Sequence, residues 1–101
     1  MAIKSVISED QQTLSIYVEG NFDFNLHKEF RDAYAPLKQP VSKCVVDMSG
    51  TEYMDSSALG MLLILRDQAE LIGAAVVLAN CTEEIKGILS IANFDDMFEM
   101  V

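Results

Sequence analysis

The chain is short of basic residues. It has 7 Lys and Arg residues against 16 Asp and Glu residues, which gives a net charge of −9 over 101 residues. Such an excess of negative charge repels the phosphates of nucleic acids and of anionic lipid headgroups. The composition therefore excludes a protein whose main task is to hold nucleic acid or an anionic membrane surface, and it leaves a protein partner open.

Long apolar runs and cysteine pairs are also missing. The longest apolar run, Met61 to Leu65, is far shorter than the roughly 20 residues that cross a bilayer. The N-terminal residues lack the apolar segment of a secretory signal. Cys44 and Cys81 form no CxxC pair and stand in or beside apolar runs, which predicts small buried thiols in a reducing compartment. We therefore expect a soluble, cytoplasmic protein.

Motifs for catalysis and for cofactors are scarce. His27 is the only histidine and is predicted on the outer face of the first helix, so no serine or cysteine has an evident base beside it. The GxSxG motif is absent, and Gly20, Gly50 and Gly60 stand too far apart for a phosphate-binding loop. Residues 95–96, both aspartate, are predicted to form a solvated turn. The sequence predicts no enzyme, no cofactor and no metal site.

Apolar periodicity predicts strands that alternate with helices. Strands are predicted at residues 2–8, 13–19, 44–48 and 74–79, with a last short strand or turn at 97–101. Helices are predicted from an Asn25 cap to near Lys38, over roughly 57–72 with Gly73 as its C-terminal cap, and from a Thr82 cap onward. The order ββαβαβα implies a largely parallel sheet that an antiparallel pair opens.

The segment 52–66, EYMDSSALGMLLILR, begins the second helix with two hydroxyls. Either Asp55 or Ser56 is a suitable N-cap, because both side chains accept hydrogen bonds from free backbone N–H groups. A phosphate on Ser56 would gain from the helix dipole and would meet Asp55 at close range. Two interpretations stay open: the hydroxyls only cap the helix, or one of them carries an electrostatic switch.

A helical wheel of this segment has apolar residues on more than one side. One continuous arc is predicted to face the core: Ala58, Met61, Leu62, Leu65, Ala69 and Ile72. Leu59, Leu63, Ile64 and Leu71 fall on the polar side, with Arg66. Either neighbouring elements cover these four residues, or they form an exposed docking patch for a protein partner.

Four segments, read in order, resemble the STAS domains of bacteria, specifically the stand-alone anti-sigma factor antagonists (anti-anti-sigma factors). Residues 20–23, GNFD, resemble the family's turn after its second strand, and residues 45–48, VVDM, its central strand. Residues 53–60, YMDSSALG, resemble its phosphorylation loop, and residues 93–98 the turn after its last helix. The likeness covers nearly the whole chain and implies a single STAS domain over residues 1–101. It implies an α/β fold with a mixed four- to five-stranded sheet and three to four helices mainly on one face.

The resemblance also implies partner switching in signal transduction and transcription regulation. The dephosphorylated protein, a monomer when free, would bind an anti-sigma factor and release a sigma factor. A serine kinase would phosphorylate Ser56 and break the complex, and a PP2C-type phosphatase would restore it. An alternative is a constitutive interaction module that binds a signalling enzyme in motility or biofilm control, without a sigma-factor role.

The resemblance places further residues around Ser56. The neighbours of the phosphosite are Asp23, Asp55, Ser57 and Ala58, and the partner-binding residues are Asn21, Phe22, Leu59, Leu63, Ile64 and Arg66. Ala58 departs from the family pattern, in which a glycine is usual. We expect the alanine to stiffen the first helical turn and to crowd a partner that approaches the backbone.

Overall fold

A computed structural model describes residues 2–35 and 41–101. The strands are β1 (Ile3–Ile7), β2 (Thr13–Val18), β3 (Gly20–Phe22), β4 (Lys43–Asp47), β5 (Thr51–Met54), β6 (Ala75–Ala79) and β7 (Glu99–Met100). The helices are α1 (His27–Ala33), α2 (Ser56–Leu71) and α3 (Glu83–Ile91), and short 3-10 turns at Phe24–Leu26 and Phe94–Asp96 precede α1 and β7.

The main sheet has five strands in the order β1-β2-β4-β6-β7. The first pair is antiparallel and the other pairs are parallel, which confirms the predicted mixed α/β sheet. Ile16 lies opposite Val46, and Val46 lies opposite Leu78, so these side chains form one apolar row across the sheet. A separate parallel pair, β3 with β5, was not predicted.

All three helices cover the face of the sheet that carries this row. Buried residues of that face join those of the helices in one hydrophobic core, which includes Phe30 of α1, Leu62 and Leu65 of α2, and Leu89 of α3. Val77 is also buried but points to the opposite face and lies outside this core. The prediction of helices mainly on one face is therefore confirmed.

The first helix begins and ends differently from the prediction. Asn25 does not cap α1. Asp23 caps the preceding 3-10 turn, where its Oδ1 accepts the N–H of Asn25 at 3.0 Å, and Leu26, the N-cap residue of α1, makes no side-chain capping bond. This turn leads into α1, which ends at Ala33. This end is earlier than predicted, and Lys38 lies outside the described residues.

The ends of the other helices agree with the prediction. At the end of α2, Gly73 has φ +73°, the N–H of Gly73 donates to the carbonyl of Glu70 at 3.1 Å, and the N–H of Ala74 donates to that of Ala69 at 2.9 Å. This pattern is a Schellman motif, which glycine permits because it adopts positive φ without strain. Thr82 Oγ1 accepts the N–H of Ile85 at 3.3 Å and caps α3.

Both cysteines are buried free thiols, as predicted. Burial raises the pKa of Cys44 to about 12, so this thiol stays protonated and unreactive near neutral pH. Within residues 2–35 and 41–101, no helix combines the length and the apolar content that a membrane crossing requires.

Candidate functional site

The pairing of β3 with β5 brings two aspartates together. Phe22 lies opposite Met54 in this pair, and the N–H of Asp55 donates to the carbonyl of Phe22 at 3.3 Å. Asp23 and Asp55 directly follow these paired residues, and parallel strands end at the same edge of their sheet. The two aspartates therefore lie next to each other in strand register at the entry to α2.

Asp55 caps α2 and leaves the serine hydroxyls out of this role. Its backbone is extended (φ −107°, ψ −175°), and its Oδ1 accepts the N–H of Ala58 at 3.0 Å. Ser56 is consequently the first residue of the helix, and its side chain is exposed, whereas Ser57 is half-buried. Of the two predicted caps the structure selects Asp55, and the Ser56 hydroxyl faces solvent.

The electrostatics at this helix start act in two opposite directions. The N–H groups of Ser56 and Ser57 belong to the first turn, where no preceding carbonyl of the helix can accept them. Together with the helix dipole they favour negative charge on the Ser56 oxygen. Asp23 and Asp55 supply negative charge at the same place. A phosphate could thus be held by the backbone while the outer surface becomes strongly anionic.

Ala58 does not project toward a partner. Its side chain is fully buried and belongs to the hydrophobic core. The expectation that it crowds an approaching partner is therefore wrong, because the methyl group points inward from the first turn of α2. Gly60 differs, since a Cβ built there would meet nothing within 4 Å. Internal packing does not require glycine at position 60.

The docking patch predicted on α2 is only half exposed. Ile64 and Leu71 have 49% and 79% of their surface accessible, but Leu59 and Leu63 are half-buried and pack against the core. Leu59, Leu63 and Arg66 share one side of the helix through their spacing of four and three residues. At the Arg66 end, this side approaches the C-terminal segment, since the guanidinium carbon of Arg66 lies 6.0 Å from the ring centroid of Phe98.

Arg66 lies away from the predicted site. Ten residues separate it from Ser56, which corresponds to about 15 Å along a helix. It also lies 3.9 Å from a carboxylate oxygen of Glu70. The structure places Arg66 away from the start of α2, and its assignment as a partner-binding residue stays a prediction.

Ile64 lies on the other side of α2, at a groove against α1. The groove has a volume of about 230 Å³ and is lined by His27, Phe30, Arg31, Tyr34, Met61 and Ile64. Ser57, Gly60 and Ile64 follow one another at spacings of three and four residues, so one stripe of the helix surface connects the helix start with this groove.

The aromatic residue exposed near the site is Phe24 and not Phe22. Phe22 is fully buried, with its ring centroid 5.0 Å from that of Phe30, so the prediction that it contacts a partner is wrong. Phe24 is 66% exposed and stacks on His27 with 5.3 Å between ring centroids. The alternation of β2 ends at Val18, and β3 has only three residues, so no periodic signal assigned Phe22 to the interior.

Tyr53 is a second aromatic residue that the sequence interpretation missed. It is 50% exposed and lies opposite Asn21 in the β3–β5 pair, next to the two aspartates. Asn21 is exposed as well. Polar and aromatic side chains therefore flank Ser56 on the side of the two short strands.

A second polar cluster joins the ends of β4 and β6. Asp47 Oδ1 accepts the N–H and the hydroxyl of Ser49 at 3.0 and 2.8 Å, and its Oδ2 accepts the side-chain amide of Asn80 at 2.8 Å. Burial disfavours the charged carboxylate, but these hydrogen bonds outweigh burial and lower the pKa of Asp47 from its usual value. Within the described part of the chain, no three His, Cys, Asp or Glu side chains are grouped so that they could hold a metal ion.

The sequence as a whole is similar to that of a known family. The model of the STAS domain matches residues 4–101. A STAS-domain containing protein of Pseudomonas aeruginosa is 47% identical over 100 residues, which cover 99% of each chain.

Solved structures show the same fold at low sequence identity. A putative anti-sigma factor antagonist from Thermotoga maritima superposes with a TM-score of 0.83 at 18% identity, over 97% of this chain and 84% of that one. The anti-sigma factor antagonist SpoIIAA in its unphosphorylated form has a TM-score of 0.76 at 18% identity, over 99% and 87% of the two chains. Its phosphorylated form, described as a Bacillus cell fate determinant, has the same TM-score at 17% identity, over 99% and 91%. With the family model matched from residue 4 to residue 101, this chain belongs to the STAS domain family.

Proposed function

We propose that this STAS domain is a protein-binding regulator, and not an enzyme, whose state is set by phosphorylation of Ser56. The observation that carries the proposal is the exposed Ser56 hydroxyl at the first position of α2, where Asp55 already provides the cap. The hydroxyl is accessible to a kinase, and the fold does not need it as a hydrogen-bond acceptor at the helix start.

A phosphate on Ser56 changes the surface far more than it changes the fold. It adds about −1.5 to −2 charges beside the carboxylates of Asp23 and Asp55. The free N–H groups of the first turn can donate hydrogen bonds to the phosphate oxygens without any movement of α2. A partner whose surface fits the unmodified site would then meet a dense negative charge at the centre of its contact.

The partner surface that we propose surrounds Ser56 on two sides. On the side of the short strands it includes Asn21 and Tyr53, and next to the capping aspartate it includes Phe24. Along α2 it continues over Gly60 to Ile64. Aromatic side chains are common in the centres of protein interfaces, and the bare backbone at Gly60 allows close approach.

The partner is proposed to be an anti-sigma factor, whose capture by the unphosphorylated domain releases a sigma factor and so regulates transcription. A serine kinase would end the interaction, and a PP2C-type phosphatase would restore it. Support comes from the fold shared with SpoIIAA, for which structures of a phosphorylated and an unphosphorylated form exist. The free protein is proposed to act in the cytoplasm as a monomer, with residues 1–101 as one STAS domain.

The test compares proteins captured from cell extracts by Ser56→Ala and by Ser56→Asp. We expect Ser56→Ala to hold an anti-sigma factor and Ser56→Asp to lose it, while both keep the circular dichroism and the melting temperature of the wild type. Ser90→Asp is the control, because it adds the same charge at an exposed serine of α3, outside the proposed partner surface. Equal capture by Ser56→Ala and Ser56→Asp would contradict the proposal.

Intact-protein mass spectrometry from cells in several growth states tests the modification itself. We expect one added phosphate, located on Ser56, in at least one state. A protein that never carries phosphate in any state, yet still captures its partner, would instead be the constitutive adaptor.

A further inference from the structure

We propose that the outer edge of β1 binds an extended, basic peptide segment of a partner protein as an additional strand. This surface lies on the opposite side of α1 from the groove at Ile64, and it uses neither Ser56 nor α2. The inference therefore stands independently of the phosphorylation switch.

The main chain of β1 offers hydrogen bonds on its outer side. The N–H of Glu19 donates to the carbonyl of Ala2 at 2.8 Å, and the N–H of Ser8 donates to that of Thr13 at 2.9 Å. In an antiparallel pair every second residue bonds to the partner strand, so even-numbered residues of β1 bond to β2. The N–H and carbonyl groups of Ile3, Ser5 and Ile7 consequently point away from β2. Among residues 2–35 and 41–101, β1 pairs with β2 alone.

The exposed side chains on β1 give this edge little protection against pairing with another strand. Val6 and Ile7 have 44% and 39% of their surface accessible. Proteins usually shield such edges with several charges, a proline or a bulge, whereas β1 carries Lys4 as its single charged residue. An edge with these properties is suited to strand addition, in which main-chain hydrogen bonds supply affinity and side-chain contacts supply selectivity.

The charge beside the edge selects a basic segment. A groove of about 260 Å³ runs between β1 and α1, and it is lined by Ile3, Ser5, Glu29, Asp32 and Ala33. Both acidic residues are exposed. Every second side chain of an added strand would point to the face that carries α1, so Lys or Arg side chains at these positions would reach the two carboxylates.

The same charges disfavour a second copy of this chain as the occupant. Antiparallel pairing of two β1 strands about Ser5 would place Ile3 opposite Ile7 of the other copy and bring the two α1 helices onto the same face. Glu29 and Asp32 of both copies would then approach one another, between molecules that each carry a net charge of −9. Like charges at such an interface oppose association.

The experiment is an NMR titration of the full chain with a capped synthetic peptide in which lysine alternates with threonine. The matched control peptide has glutamate in place of lysine. We expect the lysine peptide to shift and protect the amides of Ile3, Ser5 and Ile7, and we expect the glutamate peptide to leave them unchanged. Binding should weaken about tenfold with Glu29→Lys/Asp32→Lys, since two attractive exposed pairs become repulsive ones.

A second pair of variants tests the main-chain contact. Ser5→Pro removes an N–H that points away from β2, so it should abolish peptide binding, whereas Ser5→Thr keeps the N–H and should bind normally. If Ser5→Pro does not fold, the Glu29→Lys/Asp32→Lys variant still tests the proposal, because both residues are exposed and their substitution should not unfold the protein. Any of three results would overturn the proposal: equal binding of both peptides, amides of Ile3, Ser5 and Ile7 already protected in the free monomer, or a dimer in sedimentation with these amides protected.

Discussion

The N–H of Asp55 donates to the carbonyl of Phe22 at 3.3 Å, and this bond continues the β3–β5 pairing up to the entry of α2, beside the segment that carries Asp23. The main chain brings the two aspartates together, and each carboxylate is then held by its own capping hydrogen bond, Asp23 to the N–H of Asn25 and Asp55 to the N–H of Ala58. Substitutions at Asp23 and Asp55 should change charge and capping while the frame of the site stays in place.

Asp55→Ala should destabilise the protein by about 1 kcal/mol, because the N–H of Ala58 loses its capping acceptor. Asp55→Asn should retain most of the stability, since its amide oxygen can accept the same hydrogen bond. Denaturant unfolding of the two variants measures the difference in the free energy of unfolding. Equal losses in both would show that the charge of Asp55, and not its hydrogen bond, stabilises the helix.

Gly60→Ala should raise the free energy of unfolding by up to about 1 kcal/mol, because glycine inside a helix is unfavourable and a Cβ at position 60 meets no atom within 4 Å. Gly60→Gln should fold equally well but weaken capture of the partner at least tenfold, because it fills the surface between Ser56 and Ile64. Gly87 in α3 offers the matched control, since its Cβ would also meet nothing within 4 Å. Gly87→Gln should fold and bind the partner normally. Normal binding by Gly60→Gln would show that the α2 surface between Ser56 and Ile64 is not part of the interface.

Leu63→Glu should mainly lower the stability of the fold, whereas Ile64→Glu should mainly lower the affinity for the partner. Leu63 packs against the core, so a carboxylate there should lower the free energy of unfolding by about 1–3 kcal/mol. Ile64 is 49% exposed, so Ile64→Glu should change stability by no more than about 0.5 kcal/mol and should weaken partner binding. Chemical unfolding and calorimetric titration with the captured partner provide the two readouts. Wild-type stability of Leu63→Glu would mean that this leucine faces solvent.

Asn80→Gly should destabilise the protein in a pH-dependent way. The hydrogen bond from Asn80 helps to lower the pKa of Asp47 below its usual value. A carboxyl whose pKa is lowered by folding contributes stability that is present above its unfolded pKa and is lost as the pH falls through its folded pKa. The variant should therefore cost about 1 kcal/mol at pH 7 and clearly less at pH 2.

The control for this measurement is Asn93→Gly. Asn93 also has a positive φ, 61° against 57° for Asn80, and its side chain makes no capping hydrogen bond. Both variants remove an asparagine from a left-handed conformation that glycine adopts freely, so backbone effects cancel in the comparison. A loss that is the same at pH 7 and pH 2 for Asn80→Gly would exclude the contribution of Asp47.

The main elements could be predicted because their signals are local. Alternation marked β2, apolar spacing marked the core side of α2, and Gly73 and Thr82 marked helix ends that the structure confirms. The strands β3 and β5 escaped prediction since they have three and four residues, too few for a periodic pattern. Their pairing joins distant parts of the chain, and one sequence carries no direct signal for such contacts.

The side chains around the candidate site were harder to predict than the elements. Asn25 is not the cap of α1 because a 3-10 turn, which Asp23 caps, precedes the helix and moves its start to His27. Leu59 and Leu63 lie on the polar side of the helical wheel, yet they pack against the core. A wheel describes one helix alone, so it cannot include the cover that neighbouring elements supply.

The pairing of the short strands β3 and β5 makes the geometry of the site independent of the length of the chain that connects these two strands. Asp23 and Ser56 are held together by strand register, and the residues that connect β3 with β5 do not set their distance. Insertions or deletions between α1 and β4 should therefore leave the site unchanged, so that this connection is free to diverge among relatives. A circular permutant opened there should keep the same arrangement of hydroxyl and carboxylates.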